Sequence, residues 1–271
     1  MDLNTIEELV RPASRADLPQ WRDTDALLAG GTALFAEPQA AVRRLIDLQA
    51  LAWPSLEVSP AGLLIAATCT LAEAAAARWP AEWVATPLIA GCCRALAGSF
   101  KVWNAATVGG NVCQALPAAP MLALAVALDG VAAVWQPGGG ERQLPMLDFA
   151  TGPQRTALRP GEVLRAIDIP AAALRRRAAW RQACLTELGR SAALLAATLD
   201  PVGGEFRLTI TASVPHPMRL AWPALPNAAA LDAAIAALPG ELWFDDVHGA
   251  PEWRRHMTRR LAAELLHELA Q

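Results

Sequence analysis

Leu28-Ala29-Gly30-Gly31-Thr32-Ala33-Leu34 decides how this chain is read, together with a second segment of the same kind, Ala106-Thr107-Val108-Gly109-Gly110-Asn111-Val112-Cys113. Each sets a Gly pair beside a Thr at the end of an apolar run. Glycine has no Cβ, so the backbone turns sharply there and approaches a ligand closely. Successive N–H groups in such a turn form a nest for anionic oxygens, and a helix that follows adds its positive end. Thr32 and Thr107 each offer a hydroxyl to a phosphate. Two such loops suit a dinucleotide pyrophosphate. Neither matches G-x-G-x-x-G or a P-loop, so a Rossmann or nucleotide-hydrolase reading is unsupported. A lone G-G-T is also a common turn, and spacing alone leaves two ordinary turns as the alternative.

Working outward, 271 residues are comfortable for two domains, and a hydrophobic fraction of 54% supplies a sizeable core. A net charge of −3 gives no basic footprint for nucleic acid. The first residues, MDLNTIEELVRPASRADLPQW, carry acidic groups and no apolar segment, unlike a signal peptide. The apolar stretch from Pro117 to Trp135 is broken by Asp129-Gly130, so no membrane span is expected and a cytoplasmic protein is. Cys69, Cys92, Cys93, Cys113 and Cys184 include no C-x-x-C, which argues against a zinc or iron–sulfur site on this chain. Cys92-Cys93 reads as core on a helix. His216, His248, His256 and His267 are scattered, and no nucleophile–base pair accompanies them.

Short strands and helices alternate, which predicts an α+β fold. Strands are expected at 26–29, 45–48, 63–67, 131–135 and 164–169, with helices at 87–97 and 121–128. Thr70 and Glu73 have capping-box spacing and open another helix. Pro170 marks a change of character. The Arg-rich segment 171–178 reads as a surface connection, and Phe206 to Ser213 alternates as a half-buried strand. Trp253, Met257, Leu261, Leu265 and Leu269 stand at i+4 steps on a last helix. Glu241, Asp245 and Asp246 precede it as turn residues. Exposed Trp side chains, from a total of ten, would suit a partner interface.

Taken together, several segments resemble the FAD-binding medium subunit of the xanthine dehydrogenase and carbon monoxide dehydrogenase group of molybdenum hydroxylases. They are LLAGGTALF (27–35), LIDLQAL (45–51), LLIAATCTLAEAA (63–75) and PLIAGCCRALAG (87–98). ATVGGNVCQALPAAPMLALAVALDG (106–130), LRPGEVLRAIDIP (158–170), VPHPMRL (214–220) and WRRHMTRRLAAELL (253–266) follow in the same order.

The resemblance implies a two-lobed FAD-binding domain of the vanillyl-alcohol oxidase and MurB-like type at 1–170, with lobes of about 1–55 and 56–170. A small C-terminal α+β domain of the CO dehydrogenase flavoprotein type takes 171–271. It assigns Ala29, Gly30, Gly31, Thr32 and Ala33 to one pyrophosphate loop. Thr107, Val108, Gly109, Gly110 and Asn111 form the other. Leu164 takes the place of an apolar residue near the flavin, and Arg181 falls on a Lys that sits near the ring in the family. A cation there would favour the anionic reduced flavin.

Departures from the family pattern are Ala33 for an Asp, Trp103 for an Arg before Asn104, and Pro120 for an Asp that meets the ribityl chain. Gly189-Arg190 stands as a remnant of a usual G-R-R run. The resemblance further implies two partners: a large subunit carrying the molybdenum cofactor, where the substrate reacts, and a small subunit carrying two [2Fe–2S] clusters. This chain would pass their electrons through FAD to a terminal acceptor. Ala33, Trp103 and Pro120 keep a flavin-deficient adaptor open. A stand-alone flavoprotein oxidoreductase is the other alternative.

Overall fold

The computed structural model describes residues 3–271. A first, three-stranded parallel sheet comprises β1 (Glu8–Val10), β2 (Asp25–Leu28) and β3 (Arg44–Asp47), in the order β1-β3-β2. Buried Arg44 crosses this sheet and donates Nε and Nη2 to the two carboxylate oxygens of Asp25 at 2.8 and 2.6 Å.

The chain then builds β4 (Leu56–Ser59), β5 (Gly62–Ala66), α1 (Leu71–Ala76), α2 (Pro87–Ala95), α3 (Phe100–Ala105), α4 (Val108–Gln114) and α5 (Pro120–Ala127). After them come β6 (Val131–Trp135), β7 (Glu141–Pro145), a small ribbon of β8 (Ala150–Gly152) and β9 (Arg155–Thr156), and β10 (Val163–Pro170). Strands β4-β5-β10-β6-β7 form an antiparallel sheet with β10 at its centre. The local signals explain much of this. The Thr70 hydroxyl accepts from Glu73 N while the Glu73 carboxylate accepts from Thr70 N at 2.7 Å, so the capping box forms. Asp129 takes a left-handed conformation, φ 55°, and ends α5 before β6. The main core lies between this sheet and its helices, and Cys92 and Cys93 are in it.

The last part comprises α6 (Ala171–Leu174), β11 (Arg177–Cys184), β12 (Ser191–Leu199), β13 (Phe206–Thr211), β14 (Met218–Trp222), α7 (Ala228–Ala236) and α8 (Pro251–Ala270). Strands β11 to β14 form an antiparallel meander. Helix α8 turns Leu261, Leu265 and Leu269 onto it, together with α7. Two expectations are corrected here. Residues 171–178 are no surface connection: Ala171, Ala173 and Leu174 are buried in α6, and β11 has begun by Arg177. Arg176 is itself buried, because Thr198 and Glu205 receive its guanidinium. Strand β13 is covered on both faces, since α5 packs on the side that carries buried Thr209 and Thr211.

One ion pair in the second sheet predicts acid sensitivity. Arg142 donates Nε and Nη2 to Glu162 at 2.8 and 2.7 Å, and the Arg159 N–H donates to it at 2.8 Å. The Arg142 hydrogen bond, above all, holds the Glu162 carboxyl down to about 2. A carboxyl lowered in the folded state contributes stability above its unfolded value, about 4.3. That contribution is lost as pH falls toward the folded value. Unfolding free energy is therefore expected to fall between about pH 4.5 and 2. Glu162→Gln should flatten this part of the profile in urea titrations repeated across pH. An unchanged profile would show that the pair does not contribute.

Candidate dinucleotide-binding site

The first glycine loop leaves the carboxyl end of β2, an edge where parallel sheets commonly receive ligands. Gly31 stands at φ 70°, and the Phe35 N–H closes a single turn on the Gly31 carbonyl at 2.8 Å. The N–H groups of Gly30, Gly31, Thr32, Ala33 and Leu34 donate to no acceptor among the described residues. Consecutive donors of this kind are what an anion nest requires. No helix follows this loop; the chain continues in turns.

The second loop is built differently. Val108 N donates to Cys69 O at 2.8 Å and Gly109 N to Ala67 O at 2.9 Å. Gly110 N donates to Thr107 Oγ1 at 3.0 Å and Asn111 N to Thr107 O at 2.9 Å. The first donors of α4 are thus spent on the turn that follows β5 and on their own cap. What this loop offers a ligand is side-chain chemistry. The buried Thr107 hydroxyl accepts from Gly110 and keeps its proton to donate. Asn111 Oδ1 accepts from Met121 N at 3.0 Å, which caps α5 and leaves the amide NH₂ of Asn111 to donate. Pro120, the family departure, is buried at the first position of α5, where its missing N–H is no loss.

Both loops open on one cleft of about 680 Å³, within the range of about 300–1,000 Å³ usual for ligand sites. Ala29, Gly30, Gly31, Thr32 and Ala33 line it, as do Thr107, Gly110 and Asn111. Val108 and Gly109 do not; they are buried beneath it and hold α4 against β5. The loops meet because Gly30 lies against the backbone that leads into the second one. A Cβ built at Gly30 would stand 1.8 Å from the Ala105 carbonyl oxygen.

The structure does not bring Leu164 or Arg181 to this cleft. Leu164 lies in the main core, paired with Val134 just before a bulge in β10. Arg181 faces α8, with Nη2 at 2.6 Å from Glu268 and Nε at 3.4 Å from Glu264. It does bring in residues that the site assignment missed, Leu96, Ala97, Gln154 and Arg190 among them. Gly189-Arg190 is visible in the sequence as a remnant of a family run, but Gln154 carries no sequence signal of its own.

Two glycine loops converging on one cleft, one with free backbone donors and one with hydroxyl and amide donors, make this an α/β protein of the dinucleotide-binding type. Residues 4–172 match the family model described as the FAD binding domain in molybdopterin dehydrogenase. The chain belongs to that family, and is thus an FAD-binding oxidoreductase subunit of the molybdenum hydroxylase group. No curated protein sequence matches it.

Solved structures share the fold along the whole length. Carbon monoxide dehydrogenase from Hydrogenophaga pseudoflava, in a form lacking the Mo-pyranopterin moiety of the molybdenum cofactor, is 24% identical with a TM-score of 0.80, over 97% of this chain and 96% of that one. Reconstituted CO dehydrogenase from Oligotropha carboxidovorans is 24% identical with a TM-score of 0.84, over 98% and 99%. Quinoline 2-oxidoreductase from Pseudomonas putida 86 is 20% identical with a TM-score of 0.78, over 100% of both chains.

Proposed function

We propose that this chain is the FAD-carrying electron-transfer subunit of a multisubunit molybdenum hydroxylase. The observation that carries the reading is the row of uncommitted N–H groups from Gly30 to Leu34, set in the same cleft as Thr107 and Asn111. These groups fit a pyrophosphate: backbone donors on one side, a hydroxyl and an amide on the other, and no cost of breaking existing bonds. Gly30, Gly31, Thr32, Ala33, Thr107 and Asn111 would hold the phosphates. Val108 and Gly109 would fix the second loop from below. Bound FAD supplies redox chemistry in one- and two-electron steps, and the protein supplies position and electrostatics.

In the same reading, residues 1–170 are the two-lobed FAD-binding domain of the vanillyl-alcohol oxidase and MurB-like type, and 171–271 the C-terminal flavoprotein domain. A partner subunit with two [2Fe–2S] clusters delivers the electrons, and a large subunit with the molybdenum cofactor carries the substrate chemistry. The likeness to the CO dehydrogenase and quinoline 2-oxidoreductase structures supports membership of such an assembly. Among the described residues no helix is long and apolar enough to cross a membrane, and a cytoplasmic setting is proposed. The expected docking through exposed Trp is replaced. All ten Trp side chains are buried or half-buried, whereas Phe100, Leu185 and Leu188 are 71%, 58% and 88% exposed.

The test is native purification after co-expression with candidate partner subunits, followed by an absorption spectrum and analysis of released cofactor. About one FAD per copy of this chain is expected. A folded but colourless chain inside a molybdenum and iron–sulfur complex would favour the adaptor reading instead. In that case the methyl group of Ala33, which lines the cleft where the family has a carboxylate, is the first position to restore.

A further inference from the structure

We propose that Arg190 is the charge-complementing residue of the cleft and pairs with an anionic group of the bound dinucleotide; the proposal rests on the FAD reading above. Arg190 ends the loop between β11 and β12 and lines the cleft. The other charged side chain in that lining is Glu37, which is exposed on the first loop's side. Arg190 is half-buried, yet its guanidinium has no hydrogen bond or ion pair with any described residue. Three other partly buried arginines of the same sheet have carboxylate partners. Arg181 meets Glu264 and Glu268, and Arg207 and Arg219 meet Asp129. None of the Arg190 nitrogens is buried without a partner, so its guanidinium still meets water and is open to an incoming anion. A guanidinium in a concave site matches phosphate or planar carbonyl-type oxygens through paired donors.

The backbone around Arg190 is held on both sides. Gly189 N donates to Thr186 O at 3.0 Å, and the neighbouring Ser191 Oγ receives Gln182 Nε2 at 2.9 Å. The carbonyl of Ala192 receives Arg254 Nη1 at 2.7 Å. A charge on so fixed a base needs little reorganisation when its counter-ion arrives. The anion on FAD is either the pyrophosphate or the ring once reduced, and the two are separable by experiment.

Wild type, Arg190→Gln and Arg190→Lys would be purified as the full chain and checked for fold by circular dichroism. Affinities for FAD, ADP and riboflavin would be measured, with the midpoint potential of bound FAD. Pairing with the pyrophosphate predicts about tenfold weaker FAD and ADP binding in Arg190→Gln, with riboflavin unchanged. Pairing with the reduced ring predicts unchanged binding of oxidised FAD. Reduced FAD would bind about tenfold more weakly, which for two electrons is a potential lower by about 30 mV. In either case Arg190→Lys should recover part of the effect, and it is the variant to read if the Gln form does not fold. A wild type that binds FAD beside an Arg190→Gln form with unchanged affinities and potential overturns this proposal alone. A wild type that binds no FAD overturns the cofactor reading, and this proposal with it.

Discussion

Gly30→Val is expected to lose FAD while the chain stays folded. The side chain has nowhere to go. A Cβ at position 30 would lie 1.8 Å from the Ala105 carbonyl oxygen and 2.7 Å from its carbon, and both are backbone atoms that no rotamer change can move. The first loop must lift off the segment that leads into Thr107, and the two halves of the cleft separate. Overpacking of this kind costs about 1–3 kcal/mol. The shift falls on a half-buried turn rather than on the core, so it appears mainly in binding. Each 1.4 kcal/mol is about tenfold in affinity, so a loss of roughly tenfold to a hundredfold is expected. Gly240→Ala is the control, because nothing lies within 4 Å of a Cβ there. Released flavin per chain, measured beside circular dichroism, reads the effect. Full retention of FAD by Gly30→Val would mean that the two loops do not share one ligand.

Arg254→Met is expected to give the largest loss of stability. Arg254 is 1% exposed, inside the apolar face of α8. Its guanidinium donates to Gly249 O at 2.8 Å, Ala192 O at 2.7 Å and Ala212 O at 2.5 Å, and it also pairs with Asp246. One side chain thereby ties α8 to β12, to the end of β13 and to the turn at 246–249. Methionine fills a similar volume but leaves three carbonyls and a carboxylate without their donor. Removing one partner of such a buried pair costs about 3–5 kcal/mol. Urea unfolding should show a much lower midpoint at an unchanged slope. A midpoint equal to that of wild type would show that water or a neighbour replaces the clamp.

How much of this was legible beforehand depends on how local the cause is. Thr70 and Glu73 announce their helix because the cap and its partner lie three residues apart, and the structure forms both bonds. Asp129-Gly130 likewise marks the end of α5. Arg254 carries no such mark: it sits beside an i+4 apolar stripe, and only the folded sheet shows that three carbonyls converge on it. The segment 171–178 reads as surface for the same reason, since the acceptors of Arg176, Thr198 and Glu205, are remote in sequence. Both glycine pairs were legible as backbone that must approach something closely. That one loop keeps its donors free while the other spends them on Ala67 and Cys69 was not, because those acceptors lie in the turn after β5, remote in sequence. Arg190 against Arg181 is a similar case. Each lies on or beside β11, and only the carboxylates of α8 show which of the two is already neutralised.

Helix α5 makes the recognised part of the chain dependent on the part beyond it. All eight of its residues are buried. Ala123 packs with Leu194 and Ala212 of the last sheet, Pro117 O receives Ala212 N at 2.8 Å, and Arg219 reaches back to Asp129. The family match ends at residue 172, yet the wall behind α5 is built from residues after it. The flavin unit is therefore not an exchangeable cassette. A graft or truncation that keeps every residue of the cleft but cuts at the match boundary discards the support of the helix that Asn111 caps, and Arg190 with it.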